Sequence, residues 1–186
     1  MAFRAFIAVD LPANATLETV ARELRTSGAA LKLADVRGLH LTLKFLGDTD
    51  EGRVPEVMAV LRQATAGLAP FRIRLRGMGA FPGVTRMNVV WVGVRDAEPL
   101  TRVAGILDEG LEALGFPREG RPWSPHATLA RVKGRRNLDR VRQILQAHGD
   151  DDFGDLDVSR IVLKRSVLGP SGAEYSDVGA VDLVGP

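Results

Sequence analysis

Two of the three histidines in this chain stand in the same four-residue frame, His-x-Thr-Leu, at residues 40–43 and 126–129. In an extended strand, side chains two residues apart point to the same face of the sheet. Each frame therefore predicts an imidazole beside a hydroxyl on one face of a strand. The first frame lies in a run, residues 39–46, that alternates apolar and polar side chains, as in a half-buried strand. The repeat favours a fold in which two similar strands occupy related positions.

The predicted elements follow a mixed order of helices and strands in two similar halves. Strands are predicted at residues 3–9, 31–36, 39–46, 71–76, 88–94, 126–132, 160–168 and 174–183. Helices are predicted at residues 11–25, with Pro12 in the first turn, 51–65, 98–114 and 137–147. Residues 77–83 and 150–152 are predicted as loops, and residues 169–172 as a hairpin turn. We expect two antiparallel-rich sheets facing each other across a central cleft, with the helices outside.

The composition excludes several kinds of site. The chain of 186 residues has no cysteine, so it has no disulfide framework, no thiol nucleophile and no cysteine-ligated zinc. No apolar run approaches the roughly 18 residues of a membrane span, and no leader is evident, so a cytoplasmic protein is expected. The net charge of +2 is compatible with an anionic partner but is weak evidence for one.

The paired frames suit acid–base chemistry on a phosphodiester. One neutral histidine can take a proton from water, while the other, protonated, gives a proton to the leaving oxygen. The two threonine hydroxyls can donate to the non-bridging oxygens, and no metal or other cofactor is required. Zinc held by both histidines and a distant carboxylate stays an alternative. His148 is expected to be a favourable charge at the end of a helix.

The frames and the residues around them resemble the 2H phosphoesterase superfamily and, more narrowly, the LigT-like RNA 2′,3′-cyclic phosphodiesterases, also called 2′-5′ RNA ligases. The matching stretches are residues 6–12, 40–47, 79–82, 91–94, 125–131 and 168–175. The resemblance implies a bilobal α+β fold, with two pseudo-symmetric αβ halves around a central cleft. We expect one domain over residues 1–186, with the two lobes dividing near residues 90–125.

The resemblance also implies hydrolysis of an RNA 2′,3′-cyclic phosphate to a 2′-phosphomonoester. It makes His126 the general base and His40 the general acid, whereas the residues alone allow either polarity. Thr42 and Thr128 are expected to bind the phosphate. The alternatives are reversible 2′-5′ ligation of RNA at the same site and a non-catalytic module that binds nucleotides or RNA. The expected partners are RNA ends, tRNA fragments or nucleotides, with no membrane, and the chain is expected to be a monomer.

Residues beside the frames are weaker candidates for substrate binding. Lys44 shares the strand parity of His40 and Thr42. Arg131 has the opposite parity to His126 and Thr128, so it reaches the cleft only if its strand ends or bulges there. Three aromatic residues are expected to serve packing rather than base stacking: Phe45, Trp123 and Tyr175.

Overall fold

A computed structural model describes residues 1–169 and 172–185, and in these residues the chain forms nine strands and four helices. The strands are β1 (Ala2–Asp10), β2 (Leu31–Leu33), β3 (His40–Asp50), β4 (Phe71–Phe81), β5 (Val89–Arg95), β6 (His126–Val132), β7 (Asp152–Val158), β8 (Arg160–Gly169) and β9 (Gly172–Asp182). The helices are α1 (Ala15–Thr26), α2 (Val54–Thr65), α3 (Glu98–Glu112) and α4 (Leu138–Ala147). None of these helices is long and apolar enough to cross a membrane.

The nine strands form one antiparallel sheet made of two halves. Its order is β7-β4-β5-β6-β3-β1-β8-β9, and β2 pairs with β6 beside this path. The halves meet where β3 and β6 pair, and that pairing consists of one bridge, between Leu41 and Ala127. The predicted α+β class, with antiparallel halves around a cleft, is therefore confirmed. The two expected sheets are joined into one because the frame strands pair with each other.

The expected division of the chain near residues 90–125 does not separate the halves. Strands β8 and β9, from the end of the chain, pair with β1 and therefore belong to the half that contains β3. Helix α3 packs against α2 and β3 on that half, whereas α1 and α4 contact β2, β4 and β7 on the other. The chain crosses between the halves repeatedly. The single domain stays a prediction, which the continuous apolar core supports.

The core lies between the helices and one face of the sheet. Strand β5 shows the rule: Val90 and Val92 are fully buried, while Trp91 and Gly93 point to the opposite, open face. Most of the predicted elements are present. Helix α1, however, begins at Ala15 and not near Pro12, because the Asn14 side chain accepts a hydrogen bond from the N–H of Leu17.

Two further predictions of local structure are wrong. Residues 77–81 continue β4 and are not a loop, because a bulge between Leu75 and Met78, with Gly77 at φ +72°, lets pairing with β5 resume. Strand β7 begins inside the acidic run predicted as a turn. Its aspartates face the arginines of β4, and Arg72 bonds Asp157 at 2.7 Å. Strands β8 and β9 form the predicted hairpin; residues 170 and 171 of its predicted turn lie outside the described residues.

Candidate active site

The two histidine frames lie side by side at the centre of the sheet. Leu41 and Ala127 form the bridge, and both are completely buried on the core side. Because the strands are antiparallel, His40 lies beside Thr128 and Thr42 lies beside His126, all on the open face. Side chains directly opposite are about 5 Å apart and diagonal ones about 7–8 Å apart in such a pair. The two imidazoles are therefore diagonal neighbours on this face, each beside the threonine of the other frame.

Each imidazole is oriented by a carbonyl oxygen two residues before it. Nδ1 of His40 lies 2.9 Å from the oxygen of Gly38, and Nδ1 of His126 lies 2.7 Å from the oxygen of Ser124. A carbonyl oxygen only accepts, so Nδ1 carries the proton in both rings. The neutral ring then has its lone pair on Nε2, and the charged ring has a proton there to donate. In each of the two histidines, Nε2 is therefore the ring atom that can accept or donate a proton.

Aromatic rings pack against both imidazoles. The ring centroids of Phe6 and His40 are 4.8 Å apart, and those of Phe81 and His126 are 4.9 Å apart. Tyr175 meets His40 edge-on at 5.0 Å. Neither Phe6 nor Phe81 was predicted as a site residue, although both lie in stretches that match the family resemblance. These contacts restrict rotation of the imidazoles and help to hold each ring in one orientation.

The environment of His40 favours its neutral form. Burial lowers the pKa of His40, and the charge of Lys164 adds to that effect. The hydrogen bond to Gly38 and the charge of Asp10 act in the opposite direction but do not cancel it. Lys164 is itself held by Asp10 at 2.9 Å and by Asp177 at 2.7 Å, so a fixed group of charges stands beside this imidazole.

Both frame strands bulge directly after the shared leucine. The consecutive residues Val90 and Trp91 of β5 pair with Ala130 and Thr128 of β6. Strand β6 therefore has one extra residue between these pairs. The parity therefore reverses, and the exposed Arg131 lies on the same face as Thr128. This is the condition under which Arg131 was expected to reach the cleft.

The corresponding bulge in β3 corrects two expectations. Ile7 of β1 pairs with Lys44, whereas the next residue of β1, Ala8, pairs with Thr42. Thr42 and Lys44 therefore lie on opposite faces of β3, although they are two residues apart. Lys44 turns to the core side, where its side chain is 1% exposed and its Nζ lies 2.6 Å from Oδ1 of Asp108. Lys44 therefore does not line the site. Phe45, expected in the core, is instead 58% exposed.

The segment before β6 is tied to the first frame. The indole Nε1 of Trp123 donates to the carbonyl oxygen of Thr42 at 2.8 Å. Trp123 also packs against the core, in agreement with its predicted role. Since Ser124 follows directly and holds His126, this hydrogen bond links the two frames.

The third histidine lies away from the site. His148 follows α4, with Nε2 2.8 Å from Glu23 and Nδ1 2.7 Å from Asp151. Burial opposes its charge, but the hydrogen bonds to these carboxylates outweigh burial and raise the pKa of His148. Across residues 1–169 and 172–185, no group of three or more His, Asp or Glu side chains is arranged to hold a metal ion.

Comparison with known proteins assigns the chain to a family. Residues 12–169 match the model of the 2′-5′ RNA ligase superfamily. The chain belongs to that superfamily. The RNA 2′,3′-cyclic phosphodiesterase of Methanothermobacter thermautotrophicus is 37% identical over 180 residues, which cover 96% of this chain and 97% of that protein. The enzyme of the same name from Aeropyrum pernix is 39% identical over 150 residues, covering 80% and 84%.

A solved structure extends the superfamily match to three dimensions. TT0787 of Thermus thermophilus superposes with a TM-score of 0.74 at 31% identity, covering 98% of each chain. The resemblance to LigT-like 2H phosphoesterases, an enzyme family, is therefore confirmed.

Proposed function

We propose that this protein is an RNA 2′,3′-cyclic phosphodiesterase that converts a 2′,3′-cyclic phosphate end into a 2′-phosphomonoester. One observation carries the proposal: two imidazoles with fixed Nδ1 atoms lie on the same face of the sheet, diagonally across the Leu41–Ala127 bridge. Each imidazole also stands beside the threonine of the other frame. The activity named for the relatives at 37% and 39% identity agrees with this chemistry.

The reaction is an acid–base displacement at phosphorus. One imidazole accepts a proton from water through Nε2 as the water oxygen attacks the phosphorus. The bond from phosphorus to the 3′ oxygen breaks, and the second imidazole gives that oxygen a proton. Thr42 and Thr128 donate hydrogen bonds to the non-bridging oxygens, which gain charge in the transition state. Proton exchange with solvent then restores both histidines.

The polarity of the pair follows the family resemblance, with His126 as the base and His40 as the acid. In the free protein, the lowered pKa of His40 favours the neutral form, which accepts a proton. A bound phosphodiester anion stabilises the charged imidazole and so raises this pKa. Binding of the substrate therefore favours the acid role of His40.

The wider assignments rest on the same proposal. We assign Arg131 to contact with the RNA chain next to the reacting phosphate, because Arg131 lies on the same face as Thr128. We retain RNA ends as the substrate class, the cytoplasm as the location and a monomer as the active form. Reversible ligation through a 2′-5′ linkage is the same displacement with the 5′ hydroxyl of a second RNA attacking in place of water, and bulk water favours hydrolysis.

A product assay tests the function. The protein is incubated with a 2′,3′-cyclic-phosphate oligonucleotide and a 5′-hydroxyl oligonucleotide, and hydrolysed and joined products are followed together. We expect a 2′-phosphomonoester, and a loss of rate of about a hundred- to ten-thousandfold in His40→Ala and in His126→Ala. His148→Ala is the matched control and should keep its rate. Absence of turnover in the wild type would indicate a binding module, and joined product alone would indicate a ligase.

A sulfur leaving group tests the polarity. A substrate with sulfur in place of the 3′ oxygen needs no general acid, because a thiolate leaves without protonation. We expect His40→Ala to recover most of its lost rate on this substrate, and His126→Ala to recover little. Recovery in His126→Ala instead would reverse the two roles.

A further inference from the structure

Two positive side chains face each other on the open face, one step beyond the reaction centre. Lys32 of β2 is directly opposite Arg131 of β6, and both are exposed. Arg131 also pairs with Val89, two residues along β5 from Trp91, which faces Thr128. This parity places the Lys32–Arg131 pair on the same face as Thr128. Like charges in directly opposite positions destabilise a sheet, so the pair lowers the stability of the free protein.

Neighbouring side chains do not neutralise this pair. The strand residues that flank it are apolar, namely Leu31, Leu33, Ala130 and Val132. In the described part of the chain, no carboxylate lies within 4.0 Å of either Lys32 or Arg131. Lys44 and Lys164, in contrast, both bind carboxylates. The Lys32–Arg131 pair is thus a concentrated positive charge that an anion would stabilise.

The distance to the reaction centre suits the next phosphate of an RNA chain. Arg131 follows Thr128 by three residues in β6, and a strand rises about 3.3 Å per residue, less at a bulge. The positive pair therefore lies about 7–10 Å from Thr128 along the strand. One nucleotide spans such a distance. Only substrates with a phosphate on the 5′ side of the terminal nucleoside can contact both the reaction centre and the Lys32–Arg131 pair.

We propose that Lys32 and Arg131 form a second anion subsite, which binds the phosphodiester on the 5′ side of the terminal nucleoside. This inference rests on the proposed function and narrows its substrate class to RNA chains over cyclic mononucleotides. The planar guanidinium of Arg131 suits paired contacts to two phosphate oxygens, and the flexible Lys32 adds a charge from the neighbouring strand.

Lys32→Gln tests the subsite through a ratio of rates. The quantity measured is kcat/KM for a dinucleotide with a 2′,3′-cyclic end, divided by kcat/KM for the corresponding cyclic mononucleotide. Loss of one charged phosphate contact should lower this ratio about tenfold. Arg62→Gln, which removes an exposed charge from α2, is the matched control and should leave the ratio unchanged. An unchanged ratio in Lys32→Gln would refute the subsite.

Removing the charge from the substrate gives a second, independent measurement. A methylphosphonate at the internal linkage should lower the ratio in the wild type at least as much as Lys32→Gln does, and should lower it by a smaller factor in the variant, where only Arg131 remains to bind the charge. Lys32→Gln should also reduce the salt dependence of log kcat/KM by about 0.7, as expected for one phosphate of a single strand. Additive losses from the variant and the methylphosphonate would mean that Lys32 acts elsewhere.

Two readouts separate the possible failures. If the wild type hydrolyses neither substrate, the proposed function fails; if it hydrolyses both without preference for the dinucleotide, only the subsite fails. Because the substitution relieves a repulsion, the melting temperature of free Lys32→Gln should not fall. A lower melting temperature would contradict the claim that the two charges oppose each other in the free protein.

Discussion

Replacing Lys44 by methionine tests how strongly a buried ion pair ties β3 to α3. Its Nζ donates to Oδ1 of Asp108 at 2.6 Å and to the carbonyl oxygen of Pro117 at 2.5 Å, and its side chain is 1% exposed. Hydrogen bonds to charged groups contribute about 1.5–3 kcal/mol each, and breaking a buried ion pair costs about 3–5 kcal/mol. Asp108 keeps bonds from Arg118 and from the N–H of Glu119, and methionine fills the space. We therefore expect a loss of about 3 kcal/mol in the free energy of unfolding.

Urea denaturation and calorimetry measure this loss. For a chain of this size, 3 kcal/mol corresponds to a melting temperature lower by about 6–12 °C. Lys133→Met, at an exposed lysine, is the control and should change the melting temperature little. The double variant Lys44→Met/Asp108→Leu should recover part of the loss, because it removes the carboxylate that the single variant leaves without its main partner. A melting temperature of Lys44→Met within about 2 °C of wild type would refute the reasoning.

The same ion pair predicts a dependence on pH. Burial opposes the charge of Asp108, but hydrogen bonds from Lys44 and from the N–H of Glu119 outweigh burial and lower its pKa below 3.8. A lowered pKa contributes stability that is present above the unfolded value and is lost as the pH falls through the folded one. The difference in stability between wild type and Lys44→Met should therefore narrow below about pH 3.8. A difference that stays constant into strong acid would mean that the carboxylate is not the partner that matters.

Four further predictions concern the site and its support. Thr128→Ala should lower kcat by roughly tenfold to a thousandfold, as expected for loss of a donor to the transition state, with unchanged folding by circular dichroism. His148→Gln should destabilise the protein by about 0.5–1 kcal/mol at pH 6, and the difference should shrink as the pH rises through the raised pKa of His148, in urea titrations at several pH values. Gly79→Ala should lower kcat because a Cβ there would come 2.4 Å from the ring of Trp91, the neighbour of Thr128; unchanged Trp fluorescence and kcat would contradict this. Activity should survive exhaustive treatment with EDTA, whereas a loss that zinc restores would favour the metal alternative.

Local pattern predicted most of the elements because their signals lie within a few residues. The strand at residues 126–132 was predicted with the bounds that it has, since residues 126–129 alternate between the open face and the core. Strand β7 was missed because its exposed aspartates resemble a solvated turn, and only the arginines of β4 make that spacing favourable. The start of α1 was misplaced because both Pro12 and Asn14 are good first-turn or cap residues. The contact of Asn14 with the carbonyl oxygen of Phe153, far along the chain, favours the later start.

The local sequence was enough to predict the groups of the proposed site, because each His-x-Thr-Leu frame carries an imidazole and a hydroxyl on one face of a single strand. It did not determine which neighbours share that face. The bulges after Leu43 and Leu129 depend on pairing with β1 and β5. The bulge in β3 turns Lys44 to the core and leaves Phe45 exposed, the reverse of what was expected. The division into halves was likewise decided by long-range pairing, since β8 joins β1 across most of the chain. Strand parity is a local property, whereas bulges and strand order are set by which surfaces can be buried together.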